Sequence, residues 1–170
     1  MASKGVVRFF LVLILSLCIG PALGGGFGAA APVSDFTVDF DLDDCAFAND
    51  GRNPYFSLVP GDELLLEGDD DGETVVVRIR VLNATRTIKF RNEDGDQMQV
   101  VTRVVEEREW VDDELVEVSR NFFARCKETN DIFYFGETVD IYEDGQIVSH
   151  DGAWLAGKQG ALPGVIMPGR

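Results

Sequence analysis

The chain has 170 residues, 30 of them acidic against 15 basic, a formal net charge of −15 and an isoelectric point near 4.3. Such a surface repels phosphate backbones and anionic lipid heads, which argues against nucleic acid and membrane-surface partners. The length suits one domain with a real hydrophobic core.

The first element in chain order is an export signal. Lys4 and Arg8 form a short positive flank, and Phe9 to Ile19 is an apolar run interrupted only by Ser16. Gly20-Pro21 ends the run before the small residues Ala22-Leu23-Gly24. This order is that of a secretory signal peptide, and its apolar core is short for a membrane span. Residues 1–24 are read as the signal, cut after Gly24, residues 25–34 as a small-residue linker, and residues 35–170 as a single β-rich domain. Cys18 stands where a lipoprotein would carry its lipid, but the bulky Leu17 before it disfavours that modification. Loss of Lys4 and Arg8 makes the exported chain more negative by two charges. The expected location is periplasmic or extracellular, with no stable membrane span once the signal is removed.

Period-two alternation then dominates. Phe36, Val38, Phe40 and Leu42 alternate with polar residues and predict a half-buried strand. Asn53-Pro54 and Pro60-Gly61 are turns, followed by a short strand from Asp62 to Glu67. Val75, Val77, Ile79 and Val81 mark another strand, Asn83-Ala84 a turn, and Thr85 to Arg91 the strand after it. Gln97–Glu109 and Glu114–Glu128 form long runs joined by a hairpin at Val111-Asp112-Asp113. Ile132–Val139 and Ile141-Tyr142 follow, and then Asp144-Gly145, a strong hairpin signal, leads into Ile147–Trp154. Ile132–Val139 carries aromatic residues on both faces, which requires cover on both sides, and its interior Gly136 predicts a bulge or bend. After Trp154 the tail is rich in glycine and proline but keeps Leu162, Val165, Ile166 and Met167, so it should pack down. The fold class is all-β: one strongly curved antiparallel sheet, as an open or half barrel, a closed barrel or a sandwich.

Cys45 and Cys126 remain after cleavage, an even pair in an export-competent chain, and are expected to form a disulfide. Closing so long a loop would stabilise the fold by about 4.5 kcal/mol at most in the chain-entropy model.

No chemical motif is complete. Asp39, Asp41 and Asp43 have the spacing that opens a calcium loop, but Asp44 and Asp50 stand where Gly and Glu belong. Asp69-Asp70-Asp71-Gly72-Glu73 reads as a charged turn, and no metal site is assigned. His150, the sole histidine, lacks a Gly-x-Ser-x-Gly partner turn and is read as a rim residue. Glu107, Glu109, Glu137 and Asp151 lie near aromatic residues, as glycoside hydrolysis by paired carboxylates would need. Asn83-Ala84-Thr85 matches a glycosylation acceptor. No cofactor motif is present. The aromatic residues are the richest group, and Tyr55, Phe56, Tyr134, Phe135 and Trp154 are assigned to a ligand-binding surface on the curved sheet.

Three segments have a distinctive order: Asn53-Pro54-Tyr55-Phe56-Ser57-Leu58-Val59-Pro60-Gly61, the stretch from Thr102 to Phe133-Tyr134-Phe135-Gly136-Glu137, and Gly152-Ala153-Trp154-Leu155-Ala156-Gly157 with Gly160-Ala161-Leu162-Pro163-Gly164-Val165-Ile166-Met167-Pro168. They resemble a group of exported bacterial proteins of unknown function over roughly residues 53–168, with Thr85–Asp96 fitting least well. The resemblance implies export and a bacterial source and carries over no site residue. The expected function is therefore a non-catalytic exported β-domain binding an apolar small molecule, a glycan or an envelope protein. The alternatives are a structural envelope module and a secreted hydrolase using carboxylates such as Glu137 and Asp151.

Overall fold

Alternating residues become one antiparallel sheet. A computed structural model describes residues 40, 42–92 and 94–169, all within the unit Thr37–Arg170. The signal, the linker and most of the strand expected at Phe36–Leu42 lie outside the described residues. Leu42–Asp44 form a 3₁₀ turn with Leu42 buried.

Nine strands follow: β1 (Phe47–Ala48), β2 (Glu63–Asp70), β3 (Glu73–Arg91), β4 (Gln97–Val111), β5 (Glu114–Cys126), β6 (Ile132–Glu143), β7 (Gln146–Ser149), β8 (Trp154–Leu155) and β9 (Gly164–Met167). The path β2-β3-β4-β5-β6-β7 is a meander in sequence order, and it stays open: β2 and β7 are its two ends. Of the shapes compatible with the sequence, the open curved sheet is the one adopted.

β3 corrects the expected turn at Asn83-Ala84. The two strands foreseen there are one strand of 19 residues, and the residues between Val81 and Thr85 form a bulge against β4. Buried Arg103 holds the bulge, its Nη1 donating to Leu82 O at 3.4 Å and Ala84 O at 3.3 Å, while its Nε donates to Asn49 O at 2.8 Å. A run of small polar residues can be bulge or turn, and here a buried guanidinium from the neighbouring strand decides for the bulge.

Three two-residue turns lie together at one end of the sheet. Asp71-Gly72, Asp112-Asp113 and Asp144-Gly145 all have positive φ, between 48° and 90°, as hairpins that follow the strand twist require. Two tips are stitched together, Thr74 N donating to Asp112 Oδ1 at 2.9 Å and Asp112 N to Thr74 O at 2.8 Å. This is the turn end.

The opposite half is the core end, where both faces are covered. On one face Phe90, Val104, Phe122, Phe133 and Phe135 pack under Leu42 and Phe47, and Phe47 meets Phe133 and Phe135 edge-on at 5.3 Å. On the other, Val81, Val105, Phe123 and Ile132 pack under Phe56 and Leu58. The Cys45–Cys126 disulfide ties the N-terminal arm to the end of β5. The covers are thus Leu42–Phe47 on one face and Phe56–Leu58 on the other. The C-terminal tail does pack down, but along the sheet: β8 and β9 pair with β6, as does β7. The run expected from Ile147 to Trp154 is accordingly broken, with His150–Ala153 out of pairing between β7 and β8. Asn53 binds the two terminal motifs together, its Oδ1 accepting from the amides of Tyr55 and Phe56 and its Nδ2 donating to Met167 O and Pro168 O.

Candidate functional site: an unpaired glutamate face

Cross-strand partners share a face, so the register sorts the charges of the turn end. Glu63, Arg80, Glu106 and Arg120 stand opposite one another across four strands with alternating sign. Arg80 Nε lies 2.9 Å from Glu63, and Arg108 Nε lies 2.8 Å from Glu106. Arg120 bridges Glu106 at 3.5 Å and Asp140 at 3.2 Å, and His150 Nδ1 is 3.0 Å from Asp140. His150 Nδ1 also lies 2.8 Å from Val139 O, so that nitrogen carries the proton. Arg78 lies over the Trp110 ring at 5.3 Å. We call this the ladder face.

The next residues along each strand point the other way. Glu107 is paired in register with Ser119, Glu109 with Glu117, and Asn121 with Glu137. Among the described residues no cation forms an ion pair with any of these four glutamates: Arg78, Arg80, Arg108 and Arg120 belong to the ladder face, and Arg86 and Lys158, which border a cleft with Glu137, make no ion pair with it. The carboxyls are half-buried, and Leu64, Leu66, Val77 and Ile79 border them on the β2–β3 side. Burial pushes all four carboxyls up. Glu117, which also feels the charges of Glu109, Glu107 and Glu137, is raised to about 7. Glu107 is raised by burial and then by Glu109 and Glu137. The hydrogen bond from Tyr134 partly opposes the rise at Glu137.

A bulge completes the site. Tyr134 and Glu137 are three residues apart and would occupy opposite faces of a regular strand. The β5–β6 register shifts between Asn121 and Phe123, setting Phe135 and Gly136 opposite the single residue Phe122, and this one extra residue brings both side chains to one face. Gly136 has φ +122°, and a Cβ there would stand 2.7 Å from Leu155 Cα, so the backbone of β8 requires glycine. The Tyr134 hydroxyl has a single proton, for which Asn121 Oδ1 at 2.7 Å and the Glu137 carboxylate are alternative acceptors, and the Trp154 indole donates to its oxygen. Burial first and the Glu137 charge second push the phenol well above its ordinary range. Asn121 Nδ2 donates on to Ser119 Oγ at 3.0 Å.

The five aromatic residues assigned to a ligand surface separate. Phe56, Tyr134 and Trp154 join one chain of rings through Phe123, with centroids 5.0 Å, 4.8 Å and 5.1 Å apart in turn. Phe135 is wholly buried on the opposite face and is a core residue, while Tyr55 is 66% exposed. Phe135 therefore cannot line the surface assigned to it. Asp151 lies in the exposed turn after β7 and perturbs none of the four glutamates. Glu117 escaped notice in the sequence, although its parity with Ser119 and Asn121, opposite to Arg120, was a usable signal. An open cleft of about 540 Å³ is bordered by Glu137, Trp154, Arg86 and Lys158. Cys45, Cys126 and Glu128 come within 4.8 Å of one another, but the sulfurs are bonded together, so no thiolate is offered to a metal. No helix among the described residues is long and apolar enough to cross a membrane.

Comparison with protein-family models, with curated proteins and with solved structures finds no match for this chain.

Proposed function

We propose that the chain is an exported, disulfide-bonded binding domain that docks a basic, partly apolar protein of the cell envelope on its glutamate face. The observation that carries this reading is the segregation of charge. On the ladder face Glu63, Glu106 and Asp140 each have a basic partner within 4 Å, while one residue away four half-buried glutamates have none among the described residues. Uncompensated half-buried carboxylates destabilise the free fold, and such groups cluster at functional sites. A partner bringing lysine or arginine to them, with apolar residues against Leu64 and Leu66, would relieve that cost. The signal-like N-terminus, the disulfide and the resemblance to exported bacterial proteins support the compartment.

The test is calorimetric titration, at pH 8, of a synthetic amphipathic lysine–leucine peptide into the signal-free protein. The Glu109→Gln/Glu117→Gln variant should bind at least tenfold more weakly. The Asp112→Asn/Asp113→Asn variant, which removes the same charge at a turn tip, should bind nearly as the parent does. Equal losses in both variants would reduce the effect to net charge and overturn the reading.

A second reading, hydrolysis, draws on one observation. Glu117, raised to about 7 by burial and by the charges of Glu109, Glu107 and Glu137, faces Glu109 directly across the β4–β5 pair, and paired carboxyls of unequal proton affinity are what acid–base hydrolysis uses. Turnover of dye-linked glycosides that Glu117→Gln abolishes would put catalysis first. An absence of both turnover and peptide binding would return the domain to a structural role in the envelope.

A further inference from the structure

We propose that the basic partner joins the sheet itself, as an added strand on the outer edge of β2. This rests on the docking function above and adds the mode of attachment.

Among the described residues β2 is an end strand, hydrogen-bonded only to β3, and all eight of its residues are exposed. It carries three consecutive leucines, Leu64, Leu65 and Leu66, at 52%, 61% and 46% exposure. Long apolar edges are templates for strand addition, and folded proteins usually blunt them with proline, lysine or a cover. No proline or lysine stands in β2. The edge also has a defined set of free backbone groups. Val81 N donates to Asp62 O at 2.9 Å, and the β2–β3 register runs without a shift from Glu63↔Arg80 to Asp70↔Glu73. Antiparallel pairs alternate between bonded and non-bonded, so Leu64, Leu66 and Gly68 direct their amides to β3. Glu63, Leu65, Glu67 and Asp69 direct theirs outward.

Charge selects the occupant. A second copy paired antiparallel about Leu65 would set Glu63 against Glu67 twice, and four of the eight β2 residues are acidic, so every antiparallel register that joins the outward amides over more than three residues of β2 sets acid against acid. Like charges directly opposite destabilise a strand pair. Glu63 already has Arg80 at 2.9 Å, whereas no cation pairs with Glu67 or Asp69 among the described residues. The fitting strand therefore alternates. It sets apolar side chains beside Leu64 and Leu66 on the glutamate face, and lysine or arginine beside Glu67 and Asp69 on the ladder face. The rest of the partner then lies over Glu107, Glu109 and Glu117.

The test uses an eight-residue alternating lysine–valine peptide and amide hydrogen exchange on the intact signal-free protein. Addition of the peptide should slow exchange at Glu63, Leu65, Glu67 and Asp69 at least tenfold, with little change at Leu64 and Leu66, which are already bonded to β3. Leu65→Pro removes an outward donor and leaves the β3 bonds in place, so it should weaken binding at least tenfold. Unchanged outward amides in the parent protein would overturn the edge assignment whatever the variant does. If Leu65→Pro binds like the parent while Glu109→Gln/Glu117→Gln still weakens binding, the glutamate face stands and the added strand falls. A dimer seen by sedimentation and dissolved by Leu65→Pro would overturn the choice of a basic partner.

Discussion

Glu106 and Glu107 are neighbours in sequence and opposites in state. Glu106 faces Arg108 and Arg120, whose hydrogen bond and charge hold its carboxyl below the ordinary range. Glu107 faces Glu109 and Glu137, and burial with like charge pushes it above that range. One step along a strand moves a carboxylate from a compensated ladder to an uncompensated patch. Net charge says nothing of this difference. The arrangement of charge on two faces of one sheet does.

The largest test of that contrast is to separate the turn end from the core end. Cys45→Ala/Cys126→Ala should cost about 4 kcal/mol in denaturant unfolding, because the bond closes a long loop through the core end. In conditions where this variant remains folded, Glu117 should still titrate near 7. A return of Glu117 to the usual carboxylate range would show that the glutamate face depends on the core end.

Next in size is Gly136→Ala, with an expected cost of about 2 kcal/mol from a strained φ and a clash with β8. Because the bulge brings Tyr134 and Glu137 to one face, its loss should also lower the phenol's pH midpoint, read by ultraviolet titration. An unchanged midpoint would mean that Tyr134 and Glu137 meet without the bulge.

The two faces should then respond to pH in opposite senses. Glu117 binds its proton more tightly folded than unfolded, so its contribution is fully present below the unfolded value near 4.5 and is lost as pH rises through about 7. Glu117→Gln should therefore stabilise the free protein at pH 8 and matter little at pH 4. Glu106 is held low, so its contribution is present above its unfolded value and is lost as pH falls through its folded one. Glu106→Gln should cost about 0.5–1 kcal/mol at pH 8 and less in acid. Equal pH profiles for both variants would erase the distinction between the faces. The smallest effect is expected at Tyr55, whose ring is mostly exposed. Tyr55→Ala should change stability by less than about 0.5 kcal/mol and leave peptide binding intact.

Much of this architecture is legible in the residues. Alternation marked β4, β5 and β6, Asp144-Gly145 marked a tight hairpin, Gly136 marked a bulge, and Cys45 and Cys126 marked a bond. Legibility fails where a partner distant in sequence decides. Asn83-Ala84 reads locally as a turn, and only Arg103 from β4 makes it a bulge. Phe135 and Tyr134 are adjacent aromatics, and only the covers on each face make one a buried core residue and the other a hydrogen-bonded member of the site. The glutamate cluster needs both register and the bulge: parity within β4 separates Glu107 from Arg108, but joining Glu107 to Glu137 requires the pairings of β5 and β6.

The most direct test of the central claim is to follow the side-chain carboxyl carbons of Glu107, Glu109, Glu117 and Glu137 by NMR from pH 4 to pH 9. The titration is run without and with the lysine–leucine peptide. The glutamate-face account predicts that Glu117 titrates near 7 in the free protein, with the others also above the usual carboxylate range. Bound peptide should pull all four midpoints down while Glu106 stays where it is. Ordinary midpoints in the free protein, or raised midpoints that the peptide leaves unmoved, would contradict an uncompensated acidic face made to receive a cationic partner.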